Sequence, residues 1–169
     1  MKAVLITLVL AASAFAQAQS PALPAACGPE NVSFKVSLDD TQHAVKQPEP
    51  GKATVYFIQD KGPQSFGIGA VVTGRIGLDG AWVGSNRNNS YFFVSIDPGE
   101  HHLCADAHYA YERRVEVAHF TAEAGKVYYF RARASVTPAG LVVSFDPADS
   151  DEAKYLIASF PLGVSQPRK

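Results

Sequence analysis

The stretch Ile76-Gly-Leu-Asp-Gly-Ala-Trp-Val-Gly84 places an Asp-Gly pair between two apolar runs. Such a pair predicts a tight β-hairpin, because a type I′ turn needs positive φ angles that glycine and aspartate tolerate. Asp97-Pro-Gly99 predicts a second turn, since proline presets φ and glycine is free to become left-handed. Between the two turns lies the apolar run Ser90-Tyr-Phe-Phe-Val-Ser-Ile96. We therefore expect two hairpins around the single tryptophan, Trp82.

Strand patterns continue on both sides of this stretch. Val32–Val36 and Arg114–Phe120 alternate apolar and polar residues, as half-buried strands do. Val55–Ile58 is almost continuously apolar, which is typical of a central strand covered on both faces. Val127–Arg133 and Leu141–Phe145 are two further strand patterns. Together the patterns predict an all-β fold, a two-sheet antiparallel β-sandwich of about nine strands.

One helix is predicted near the C-terminus. Asp149 is a suitable N-cap, and Glu152 three residues later completes a capping-box-like pair. The apolar residues that follow fall on one stripe at helical spacing: Ala153, Leu156, Ile157 and Phe160. Pro161 then ends the helix. We expect this helix to cover an edge or an open end of the sandwich.

The length of 169 residues suits one domain with a full core. Residues 19–31 contain three prolines, which indicates an extended lead-in rather than a regular element. Residues 32–160 are predicted to form the sandwich with its C-terminal helix. Residues 161–169 are expected to be a mobile tail.

The N-terminus has the pattern of a secretory signal peptide. Lys2 supplies a positive charge, Ala3–Ala14 is an unbroken run of apolar or small residues, and small residues fit cleavage after Ala16 or Ala18. We expect residues 1–18 to be removed and the product to be exported to the periplasm or beyond. A retained membrane anchor is the weaker interpretation, because a span needs about 20 apolar residues. No second long apolar run occurs, so the mature chain is expected to lack a transmembrane segment.

The two cysteines are predicted to form a Cys27–Cys104 disulfide. Two lone cysteines usually pair in an oxidising compartment, and the bond would hold the proline-rich lead-in against the strand that carries Cys104. The alternative is a lipid-modified Cys27, although Pro24 departs from the bacterial lipobox.

Overall charge argues against one class of partner. The chain has 15 lysine and arginine residues against 16 aspartate and glutamate residues. No basic face is implied, so nucleic acid is not expected as a partner.

Short motifs along the chain match a known pattern: Ala26-Cys-Gly-Pro29, Lys52-Ala-Thr-Val-Tyr-Phe57, Gly77-Leu-Asp-Gly-Ala-Trp-Val-Gly84, Ser90-Tyr-Phe-Phe93, Pro98-Gly-Glu-His-His-Leu-Cys104, Ala122-Glu-Ala-Gly-Lys-Val-Tyr-Tyr-Phe130 and Asp151-Glu-Ala-Lys154. Through them the chain resembles the bacterial domain of unknown function 2846 family of exported proteins, over roughly Cys27 to Phe160. The Asp-Gly hairpin followed by Pro-Gly-Glu-His is also similar to PEGA-type modules of bacterial surface proteins. The resemblance implies an envelope location and a β-sandwich, and it implies no reaction.

Histidines are the candidate metal ligands. Four of them lie in or near neighbouring predicted strands: His101, His102, His108 and His119. Imidazoles on adjacent strands could hold zinc or copper. By strand parity, however, His101 and His102 point to opposite faces and cannot serve one site without a bulge. We expect the histidines to bond backbone carbonyls or tyrosines instead, and we predict no metal or cofactor. A periplasmic metal-binding protein is the alternative.

Residues for catalysis are not evident. The chain has no Gly-x-Ser-x-Gly nucleophile motif. Asp97 and Glu100 flank a turn, where hydrogen bonding within the turn explains them. We predict that no catalytic residue exists, and a hydrolase is the less favoured alternative.

Paired aromatic residues on the strands are the candidate binding groups. Consecutive aromatics must point to both faces, so one of each pair fills the core and the other lies outside or under a second layer such as the helix. Outward tyrosine and tryptophan are typical of binding surfaces. The candidate surface residues are Trp82, Tyr91, His101, His102 and Tyr129. We therefore expect a non-catalytic exported envelope module that binds a protein or a cell-wall component.

Overall fold

A computed structural model describes residues 23–61, 73–87, 89–109 and 111–168. The expected signal peptide, residues 1–18, and its cleavage sites lie outside the described residues. The strands are β1 Phe34–Asp39, β2 Ala53–Lys61, β3 Thr73–Leu78, β4 Ala81–Arg87, β5 Ser90–Ile96, β6 Gly99–Tyr109, β7 Glu112–Ala122, β8 Val127–Thr137, β9 Gly140–Pro147 and β10 Leu162–Pro167. One helix, α1, spans Ser150–Ser159 and precedes β10.

The strands form two sheets packed face to face, and the predicted all-β sandwich with one C-terminal helix is confirmed. Sheet A has the order β1-β10-β5-β2-β8-β9, and sheet B has the order β4-β3-β6-β7. The described residues contain ten strands rather than about nine. Two pairings, β2 with β8 and β10 with β5, are parallel, so the prediction of a wholly antiparallel sandwich is wrong. A parallel pair needs a long crossover connection, and the whole of sheet B lies between β2 and β8 in the chain.

Phenylalanines fill the space between the sheets. Phe57 on β2 lies with its ring centre 5.1 Å from that of Phe92 and 6.4 Å from that of Phe130. Phe120 on β7 approaches Phe130 to 5.1 Å and so joins sheet B to sheet A. Each fully buried ring of this kind contributes about 1.5 to 3 kcal/mol relative to exposure.

A second layer covers the outer face of sheet A. Tyr56 is fully buried there, with ring centres 6.0 Å from Tyr91 and 5.6 Å from Tyr129. The β1–β2 loop closes over these rings, because the Tyr56 hydroxyl accepts a hydrogen bond from the Lys46 backbone N–H. The helix packs on β2 and β8, the central strands of the sheet. It therefore covers a face and not an edge or an open end, and it buries Ala153, Leu156 and Ile157 there.

The helix begins as predicted, with one difference. The Asp149 carboxylate accepts hydrogen bonds from the backbone N–H groups of Asp151 and Glu152, at 2.8 and 3.3 Å. The Glu152 side chain pairs with Arg131 on β8 instead of the cap, so the reciprocal half of a capping box is missing. The buried stripe consists of Ala153, Leu156 and Ile157. In the described part of the chain, no helix is long and apolar enough to span a membrane.

The two predicted turns have different roles. Asp79 and Gly80 have φ angles of 50° and 86°, and they join β3 to β4 in the predicted tight hairpin. Asp97–Gly99 instead connects β5 in sheet A to β6 in sheet B. The prediction of a second hairpin there is therefore wrong, and the turn is a corner between the sheets.

The C-terminal segment is a strand rather than a mobile tail. Leu162–Pro167 pairs with Phe34–Asp39 over six antiparallel residue pairs. Leu162 is buried and bridges to Tyr91 on β5, so the segment connects β1 to the rest of sheet A. The domain accordingly extends past residue 160.

Candidate functional site

A segment without regular structure lies across the outer face of sheet B. This segment, residues 23–33, is called the lead-in below. Cys27 is bonded to Cys104 on β6 with a Cα–Cα distance of 5.1 Å, which confirms the predicted disulfide. The Gly80 backbone N–H donates to the Ala26 carbonyl at 3.2 Å. The Trp82 Nε1–H donates to the Pro29 carbonyl at 2.7 Å, so covalent and polar contacts both hold the lead-in.

Two glycines allow the lead-in to lie this close to the sheet. A Cβ atom on Gly28 would lie 2.4 Å from the Trp82 ring. A Cβ atom on Gly77 of β3 would lie 2.8 Å from the Ala26 carbonyl oxygen. Neither distance is compatible with a side chain, so both positions require glycine for close approach of the two backbones.

Asp106 on β6 forms the centre of an ion cluster beneath the lead-in. Its side chain is fully buried. Arg113 on β7 binds it with two N–H groups, Nε to Oδ1 at 2.8 Å and Nη2 to Oδ2 at 3.1 Å. Arg75 on β3 donates to Oδ2 through Nε at 3.1 Å and also through Nη2. Burial raises the pKa of the Asp106 carboxyl, but the bonds from Arg113 and Arg75 outweigh it and lower the pKa below its usual value.

The same arginines bind the lead-in. Arg75 Nη1 donates to the carbonyl oxygens of Glu30, at 3.1 Å, and Val32. Arg113 Nη1 lies 3.0 Å from the Glu30 carboxylate. The sequence interpretation did not identify either arginine. A signal is available in the sequence, because strand parity puts Asp106 on the same face of its strand as Cys104, and an acid buried in mid-strand requires a cationic partner.

A groove of about 430 Å³ opens between the lead-in and sheet B, and we call it the lead-in groove. Its lining residues are Glu30, Asn31, Val32, Ser33, Phe34, Arg75, Ser85, His108 and Arg168. The His108 ring Nε2 lies 3.1 Å from Asp106 Oδ1, so the ion cluster forms part of the wall. Val32 and Phe34 add an apolar side. The groove can therefore accept a ligand that has both a polar and an apolar part.

The five predicted surface residues do not come together. Tyr91 and Tyr129 are only 1% and 9% exposed, beneath the layer that the β1–β2 loop and the helix form on sheet A, and cannot form an accessible surface. The second-layer interpretation of the paired aromatics is correct for these two. Trp82 lies on the opposite side of the molecule, on the outer face of sheet B under the lead-in. His101 and His102 are adjacent on β6 and point to opposite faces, as parity predicts.

His101 links two turns. Its Nδ1 lies 2.6 Å from Asp79 Oδ2 in the β3–β4 hairpin, and its Nε2 lies 2.9 Å from the Asp97 carbonyl oxygen at the sheet corner. Both partners are acceptors, so the doubly protonated ring satisfies both. Partial burial opposes the charged ring, but the bonds to Asp79 and Asp97 prevail and raise the pKa of His101. This histidine has a structural role.

His102 lies on the exposed face next to His119 on β7, with ring centres 6.4 Å apart. A shallow apolar cavity of about 510 Å³ adjoins them, lined by Pro24, Ala25, Ala26, Asp79, His102 and Val117. Across residues 23–61, 73–87, 89–109 and 111–168, no group of three or more histidine, cysteine or acidic side chains is arranged to hold a metal ion. The histidine pair thus has no third protein ligand of these types in that part of the chain.

Comparison with known proteins gives one match. A family model described as "Protein of unknown function (DUF2846)" matches residues 49–144, which include β2 to β8 and part of β9. No curated protein and no solved structure matches the chain. The matched range contains Trp82, Asp106 and both arginines of the ion cluster, but not the lead-in.

Proposed function

The chain belongs to the DUF2846 family of proteins of unknown function, and we propose that it is a non-catalytic exported module that binds a protein or a cell-wall component of the envelope. The binding face is the outer face of sheet B together with the lead-in. The family description assigns no function, and the residues of this chain support the proposal.

One observation carries the proposal. The two hydrophobic clusters lie between the sheets and under the helix, and no residue of the lead-in belongs to either of them. The disulfide, the arginine cluster and the Trp82 hydrogen bond nevertheless hold the lead-in in one position. Fixing a segment without regular structure costs about 1 to 2 kcal/mol of backbone entropy per residue. A segment held at that cost, with a cavity on either side of it, is well suited to present a preformed binding surface.

The chemistry of the cluster supports a binding role over a catalytic one. Both oxygens of Asp106 accept hydrogen bonds from arginine, which leaves the carboxylate poorly placed to act as a base. The cysteines are joined in a disulfide, and both ring nitrogens of His101 are within hydrogen-bond distance of an acceptor. An exported location agrees with the disulfide, which persists in oxidising compartments.

Site-specific photocrosslinking in native envelopes tests the proposal. A photoreactive amino acid at Asn31 or Val117, on the proposed face, is expected to capture one discrete partner. The same group at Tyr155, which is 71% exposed on the helix on the other side of the molecule, is the matched control and should not capture it. Equal capture from all three positions would contradict the proposed face. Turnover of an ester, glycoside or peptide substrate that one alanine substitution abolishes, with the fold intact, would overturn the non-catalytic assignment.

A further inference from the structure

The lead-in groove carries an unbalanced positive charge. In the ion cluster beneath it, the two guanidinium groups of Arg75 and Arg113 are matched by the two carboxylates of Asp106 and Glu30. Arg168 also lines the groove, and among the described residues its side chain has no hydrogen-bond or ion-pair partner. The groove thus has one full positive charge in excess.

The backbone of Arg168 is held at the groove. Its backbone N–H donates to the Ser33 carbonyl at 2.8 Å, just beyond the end of the β1–β10 pairing. The side chain is exposed, so its guanidinium N–H groups are available to a ligand at little desolvation cost. A guanidinium presents a planar fork that matches the two oxygens of a carboxylate or phosphate.

Further donors lie on the lead-in wall. The Asn31 amide and the Ser33 hydroxyl are exposed and make no side-chain hydrogen bond within the described part of the chain. Beside them, Val32 and Phe34 form the apolar part of the lining. The donors around Arg168 are complementary to an oxyanion. The apolar wall beside them is complementary to an apolar group attached to that oxyanion.

We propose that the lead-in groove binds an oxyanion, a carboxylate or a phosphate, that is attached to an apolar group, with Arg168 as the charged contact and Asn31 and Ser33 as neighbouring donors. This inference rests on the proposed function and names the ligand chemistry at that face. It does not depend on which envelope component carries the oxyanion. A peptide carboxylate and a sugar or lipid phosphate are the two sources.

Three probes of similar shape test the chemistry in the purified protein: phenylacetate, phenyl phosphate and the neutral phenylacetamide. Backbone amide shifts in a ¹⁵N NMR titration are expected to saturate for at least one anionic probe at residues 33, 34 and 85, and not for phenylacetamide. Tighter binding of phenylacetate assigns a carboxylate source, and tighter binding of phenyl phosphate assigns a phosphate source. Failure of both anions to give saturable shifts at these residues would overturn the proposal.

Two charge variants separate specific binding from general attraction. Arg168→Gln is expected to weaken binding of the anionic probe by about tenfold, because it removes a charge-assisted hydrogen-bonding group. Lys126→Gln removes one exposed positive charge near the Gly99 end of β6, about 30 Å from His108 along the strand, and should leave affinity unchanged. Equal weakening by both variants, or none by Arg168→Gln, would refute the site. Envelope crosslinking at Asn31 or Val117 without probe binding would refute this inference and leave the proposed function standing.

Discussion

The guanidinium carbon of Arg75 lies 4.2 Å from the centre of the Trp82 ring, so the arginine stacks on the single tryptophan while its N–H groups bind Asp106 and the lead-in. A cation over an indole is attracted to the ring face, most strongly when partly desolvated. Arg75 is 13% exposed at its side chain. Arg75 on β3 therefore connects sheet B, the buried Asp106 and the lead-in.

Removal of Arg75 should destabilise the fold and loosen the lead-in. Arg75→Ala leaves the buried Asp106 with Arg113 as its remaining arginine partner, and we expect a loss of about 2 to 3 kcal/mol in the free energy of unfolding. Denaturant titration followed by circular dichroism measures it. Arg87→Ala, at an exposed arginine near the end of β4, should stay within about 0.5 kcal/mol of the wild type. Equal stability of the two variants would contradict the role given to Arg75.

Close approach at Gly28 gives a prediction that tryptophan fluorescence can follow. Gly28→Ala places a Cβ atom where the Trp82 ring lies 2.4 Å away, so the lead-in has to move. We expect a red-shifted emission and easier quenching by iodide, with the β-sheet spectrum retained. Gly74→Ala is the matched control, because its Cβ would have no atom closer than 3.4 Å. Unchanged emission in Gly28→Ala would show that the lead-in does not lie against Trp82.

Local chemistry made part of this fold predictable. The Asp79-Gly80 turn and the Asp149 cap both depend on residues within a few positions, and both lie where the sequence placed them. Asp97–Gly99 was recognised as a turn but not as a sheet corner, because pairing of the next strand is decided by packing far along the chain. β10 was missed for the same reason, since its antiparallel partner β1 lies more than a hundred positions earlier.

The candidate site was predictable only in its covalent part. Two lone cysteines in a chain expected to be exported sufficed to predict the disulfide that holds the lead-in. The arginines were not foreseen, because Arg75 and Arg113 meet Asp106 through strand pairing and not through proximity in sequence. The aromatic residues did not predict the exposed surface, since Tyr91 and Tyr129 are buried under the second layer on sheet A.

The His101 bridge should make stability depend on pH. The pKa of His101 is raised in the folded state above its ordinary value near 6.5, chiefly by Asp79 and Asp97 against the effect of burial. A raised folded-state pKa stabilises the fold fully below the unfolded pKa, and this stabilisation is lost as pH rises through the folded value. We expect the melting temperature of the wild type to fall above pH 6.5 more steeply than that of His101→Gln. Parallel curves for the two proteins between pH 5 and 9 would contradict the charged bridge.

The disulfide should account for a large share of the stability. Cys27 and Cys104 are 77 positions apart, and closing a loop of that size restricts the unfolded chain by about 4 kcal/mol in the chain-entropy model. Total stability of such a domain is about 5 to 15 kcal/mol. Cys27→Ala combined with Cys104→Ala is therefore expected to lower the melting temperature by many degrees. The β-rich circular dichroism spectrum should persist, because the core lies between the sheets and not under the lead-in.

Removing first the disulfide and then Arg75 distinguishes the covalent contact from the polar contacts that hold the lead-in. Without the disulfide, Arg75 and Trp82 still donate hydrogen bonds to the carbonyl groups of Glu30 and Pro29, so Trp82 should stay protected from iodide in the folded double-alanine variant. Adding Arg75→Ala to that variant removes the main polar contact, and Trp82 should then become accessible while the sheets remain folded. Iodide quenching and circular dichroism on the same samples measure both properties. Full exposure of Trp82 in the double-alanine variant would mean that the covalent bond holds the lead-in by itself. Two free thiols in the denatured, unreduced wild-type protein would show that the bond does not form.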